Sequence, residues 1–98
     1  MGKYLVTWEI DQSKIPVNPQ ERANAWLAML SMTKQDMQNG LVKDWGTLVG
    51  ELSGYTINEG SEVDVGKLTQ KYVPFLTFKV HQILSLAQVE EVLKSLSK

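Results

Sequence analysis

The chain has 98 residues, 43% hydrophobic and 21% charged, which suffices for one small core and leaves no room for a second. Ten Lys and Arg against eleven Asp and Glu give a net charge of −1 with no basic run, so no nucleic-acid partner is expected. With no cysteine and one histidine, disulfides and thiolate chemistry are excluded; a metal site would need carboxylates or a second subunit, and no metal or cofactor is expected.

The first stretch, KYLVTWEI, alternates, with Tyr4, Val6, Trp8 and Ile10 on one face and Leu5, Thr7 and Glu9 on the other. That pattern predicts a strand. It has no signal-peptide character, and no apolar run reaches membrane-spanning length, so a cytoplasmic protein without a membrane partner is expected. DQSKIPV reads as a loop, and NPQE opens a helix: Asn18 caps it, Pro19 suits its first turn and Glu21 stands at the capping-box position. Ala23, Trp26, Leu27, Leu30, Thr33 and Met37 recur at helical spacing until Asn39-Gly40 stops the helix. Met29, Met32 and Met37 are read as packing residues of that helix.

LVKDWGTLVGE predicts a second strand, bulged near Gly46, with Lys43, Trp45, Thr47 and Val49 sharing a parity. LSG is a turn and YTINE a third strand, so the two form a hairpin. Ser61 and Asp64 make a capping box for a short helix carrying Val65, Leu68 and Tyr72. Pro74 ends that segment and opens a fourth strand, FLTFKVHQIL. Leu76, Phe78 and Val80 should face the helices, and Phe75, Thr77, Lys79 and His81 the open side. Ser85 and Gln88 cap a last helix with Leu86, Val89, Val92, Leu93 and Leu96 along one side.

The order β-α-β-β-α-β-α predicts one α+β domain over residues 1–98, a ferredoxin-like four-stranded antiparallel sheet with helices on one face. The other face would mix apolar and polar groups, including Leu5, Phe75 and, by parity, Trp45 and Val49. Such a face suits pairing with a second copy. GYTINEGSE, LTQKYVPFLTFKVHQIL and the capped final helix resemble the dimeric α/β-barrel superfamily, which includes muconolactone isomerase-like enzymes and small cofactor-free monooxygenases. The most specific residues are Gly54-Tyr55 and the Tyr72-x-Pro74-Phe75 approach to the last strand. The resemblance implies a homodimer with facing sheets, the end of the last strand reaching the partner. It carries over no catalytic residue.

Three residues on one face of the first and last strands, Glu9, Lys79 and His81, are the catalytic candidates, because a carboxylate, an amine and an imidazole together could move a proton. The alternative is an ordinary polar cluster at the dimer seam. Trp45 and His81 are the ligand-binding candidates; Trp8, Trp26 and Trp45 together could line a site for a flat apolar molecule, or simply form core. The glycines match no phosphate-cradling motif, and GYTINEGS lacks the aromatics of an RNA-recognition strand. Two readings follow: a homodimeric barrel that binds a small aromatic or cyclic organic molecule, with cofactor-free isomerisation or oxygenation as the implied chemistry, or a non-catalytic dimeric binding or assembly module.

Overall fold

The computed structural model describes residues 2–97. Its chain order is β1 (Gly2–Ile10), a 3-10 turn (Gln12–Lys14), α1 (Pro19–Gln38), β2 (Val42–Thr47), β3 (Ser53–Gly60), α2 (Glu62–Gln70), β4 (Leu76–Ile83), α3 (Leu86–Lys94) and a closing 3-10 turn (Ser95–Ser97). The four strands form one open sheet in the order β2-β3-β1-β4, every neighbouring pair antiparallel. The architecture is α+β, with three helices. Among the described residues no helix is long and apolar enough to cross a membrane.

Each helix starts where its cap predicts. The Asn18 side chain accepts from the backbone N–H of Gln20 at 2.8 Å and of Glu21 at 3.2 Å, and Pro19 occupies the first turn, where its missing N–H costs nothing. Ser61 with Asp64 and Ser85 with Gln88 form complete reciprocal capping boxes.

Alternation in β1 is realised in full: Tyr4, Val6, Trp8 and Ile10 are buried, and their neighbours are not. These four meet Val42 of β2, Val65 and Leu68 of α2, Tyr72 and Leu76 in two adjoining clusters, with Trp26, Met29 and Met32 of α1 and Phe78 of β4 packed alongside. Helices α1 and α2 therefore cover one face of the sheet.

Several details differ from the sequence-based expectation. The β2–β3 turn spans residues 48–52, so Leu48 and Val49 are exposed turn residues and β3 begins at Ser53. The bulge lies at Lys43, since Val42 and Asp44 pair with the consecutive residues Asn58 and Ile57. That extra residue reverses the parity after it. Trp45 lies opposite Thr56 and faces the helices, where it stacks on Trp8 at 5.9 Å between ring centroids and 16° between planes. Trp45 and Val49 thus do not belong to the open face. Phe75 precedes β4 and lines a recess with Ala25 and Met29 of α1, so it too leaves the open face. In α1 the inward line runs through Trp26, Met29, Thr33 and Asp36, while Leu27 and Met37 point to solvent.

Helix α3 packs against none of this core. None of its residues is buried, and it packs closely only with the turn that follows it. The outline is accordingly long, 62 × 26 × 20 Å, with a radius of gyration of 16.4 Å where a rounded domain of this length has about 13 Å.

Candidate functional site

Three tryptophans distant in sequence converge between sheet and helices. Trp8 from β1, Trp26 from α1 and Trp45 from β2 line one cavity of about 40 Å3, closed on other sides by Met29, Leu68 and Phe78. Trp8 can lie flat here because Gly54 stands opposite it in the ladder. A Cβ at Gly54 would overlap the Trp8 ring and the Gly46 carbonyl oxygen. Among the described residues the buried indole N–H of Trp8 finds no hydrogen-bond partner, and neither does the side-chain N–H2 of the nearly inaccessible Asn58. A buried donor left unpaired costs free energy, so the indole N–H is a ready partner for a water or a ligand oxygen.

The mostly apolar lining includes two hydroxyl side chains. Thr33 and Tyr72 both line the cavity, and their hydroxyls lie 3.3 Å apart. The Tyr72 hydroxyl also donates to Oδ2 of Asp36 at 3.0 Å, and the other carboxylate oxygen of Asp36 is ion-paired with the Lys71 ammonium. Asp36 is 2% exposed, whereas the Lys71 side chain is 42% exposed and carries its charge out to solvent. Burial, reinforced by the charge of Asp36, pushes the Tyr72 phenol up to about 12. At neutral pH it is a fixed neutral hydroxyl whose one proton goes to Asp36, so towards a further partner it can only accept a bond.

The face without helices is arranged in rows. His81, Leu5 and Ile57 lie side by side, then Lys79, Thr7 and Tyr55, then Thr77, Glu9 and Ser53. Glu9 and Lys79 border one groove of about 260 Å3 that also involves Thr7, Leu48 and Thr77. His81 is outside that groove. Glu9 pairs with Thr77, four residues before His81, which separates the two by roughly 13 Å along the strand. The expected trio is therefore a Glu9–Lys79 pair with His81 apart, beside Leu5. On the same face Tyr55 donates to Asp44 at 2.8 Å, and that hydrogen bond is the main reason its phenol is raised above its ordinary range.

Of the ligand-binding candidates, Trp45 reaches the tryptophan-lined cavity and His81 does not. Sequence reading passed over Asp36, Thr33 and Tyr72 as site residues. A signal existed for Asp36: it continues the Trp26, Met29, Thr33 line at helical spacing, and a carboxylate on an apolar stripe needs a partner. Comparison with protein-family models finds no match, and comparison with curated proteins finds none either.

Proposed function

We propose that the protein is a cytoplasmic, ferredoxin-like homodimer of the dimeric α/β-barrel type that binds a small, flat aromatic or cyclic molecule in the tryptophan-lined cavity. The observation that carries this is the convergence of Trp8, Trp26 and Trp45 on one space that Thr33 and Tyr72 also line. Indole faces stack on a planar ligand, and the Thr33 and Tyr72 oxygens, whose protons go to the Met29 carbonyl and to Asp36, can each accept a bond from a ligand O–H. The uncovered sheet face, with Leu5, Ile57 and Ile83 among Thr7, Lys79 and His81, supports pairing with a second copy. Cofactor-free isomerisation or oxygenation is the chemistry in keeping with such a site.

A non-catalytic binding or assembly module is the second reading, favoured by the size of the cavity: at about 40 Å3 it holds water as it stands and must widen before an aromatic ring enters. A thermal-shift screen of phenols, quinones and lactones, read alongside tryptophan fluorescence, separates the two. Binding raises the melting temperature by mass action and quenches the indoles, and Trp45→Ala removes both effects. If no compound moves either signal at millimolar concentration, the ligand-binding reading falls and the assembly module stands.

A further inference from the structure

Helix α3 is nine residues long, is capped at its start by a complete box, and exposes Leu86, Val89, Val92 and Leu93, with Leu96 exposed in the turn that follows. A helix of this length has too few backbone hydrogen bonds to persist alone in water, since isolated helices shorter than about 12–15 residues are marginal. Its apolar side therefore needs a cover, and its own body supplies none. Leu86 and Leu96 are each 78% exposed.

The same chain presents a complementary surface elsewhere. Along one flank of α1, beside the connection between α2 and β4, a recess of about 180 Å3 is bordered by Ala25, Ala28, Met29 and Met32, with Tyr72 and Phe75 on its other side. Two alanines there let another helix approach closely, and methionines adapt to irregular partners. Lys71 stands at its rim and Arg22 lies near Phe75, while the polar side of α3 carries Glu90 and Glu91.

We infer that α3 is an arm that docks into the α1 recess of a second copy, each copy holding the other. A two-fold axis that runs the two β4 strands antiparallel brings the end of one, where α3 begins, beside the start of the other, where Phe75 borders the recess. Area agrees with this. Burying a Val or Leu removes roughly 60–120 Å2, so the arm contributes about 400 Å2. Two arms and two recesses reach about 1,600 Å2, the size of a standard stable interface. The inference rests on the homodimer proposed above but does not need its facing sheets.

Light scattering on the full-length chain tests it, with three single variants: Leu93→Lys on the arm, Ala28→Lys in the recess and Ile57→Lys on the open sheet face. The parent chain is expected to be a dimer at micromolar concentration, and Leu93→Lys and Ala28→Lys should each weaken it at least about tenfold, with circular dichroism unchanged. Ala28 is exposed and lysine is a good helix former, so that variant reads assembly even where another misfolds. A dimer that resists both Leu93→Lys and Ala28→Lys but yields to Ile57→Lys overturns the arm exchange and leaves the facing sheets standing. Loss of the dimer in Leu93→Lys with none in Ala28→Lys overturns the recess as the docking place. A monomeric parent chain overturns the arm and the homodimer together.

Discussion

Replacing Asp36 by Ala removes the one nearly inaccessible carboxylate of the core, and the structure sets the size of the effect. The aspartate accepts two bonds, from the Tyr72 hydroxyl at 3.0 Å and from Lys71, and hydrogen bonds to a charged group contribute about 1.5–3 kcal/mol each. Two things reduce the loss. The mutation relieves the desolvation of the carboxylate, and Lys71, 42% exposed, returns to water instead of being stranded. Tyr72 also keeps Thr33, at 3.3 Å, as a partner. The expected net cost is about 2 kcal/mol, below the 3–5 kcal/mol typical when a fully buried pair is broken. For a domain of this length that lowers the melting temperature by roughly 8–16 °C. Urea denaturation at one fixed protein concentration measures it, because assembly would otherwise shift the midpoint. A double-mutant cycle with Lys71→Met should show coupling of about 1 kcal/mol. An Asp36→Ala protein within about 0.5 kcal/mol of the parent, or strict additivity with Lys71→Met, would refute the account of this network.

Tyr72 should make the fold sensitive to alkali. Its folded pKa of about 12 lies above the ordinary 10.0, so its contribution is whole below pH 10 and is lost as pH rises through about 12. Tyr72→Phe should lower stability by about 1 kcal/mol at neutral pH and flatten the alkaline fall; urea midpoints at several pH values above 9 that stay parallel to the parent's would contradict this. Gly54→Ala should cost at least about 2 kcal/mol and disturb the near-ultraviolet dichroism of the indoles, because the new methyl overlaps Trp8 and the Gly46 carbonyl. A normal spectrum with unchanged stability would mean that the ladder yields more easily than its geometry implies. His81→Gln should leave stability within about 0.5 kcal/mol, as His81 is exposed and stands apart from Glu9; a larger loss in chemical denaturation would reveal a partner that the single chain lacks.

Much of the fold is legible in short windows of sequence, for a physical reason: caps and alternation act over two to four residues. Asn18, Ser61 and Ser85 satisfy backbone N–H groups two or three positions onward, so the helix starts need no tertiary information. Tyr4, Val6, Trp8 and Ile10 announce the inner face of β1 because the pleat has a period of two. The same rule failed at Trp45, where one extra residue at Lys43 reverses parity, and a bulge is set by how β2 must lie along β3. The length of β4 between Thr77 and His81 keeps Glu9 from His81, a distance defined only once β1 and β4 are paired in register. The stripe marks Asp36 as a carboxylate in need of a partner, but which partners it finds is decided by the fold, which brings Lys71 and Tyr72 to it from more than thirty positions away. The sequence of α3 determined an amphipathic helix by itself; that none of its residues joins the core clusters among the described residues is a tertiary fact, because only the packing of the other elements decides which apolar faces find a cover.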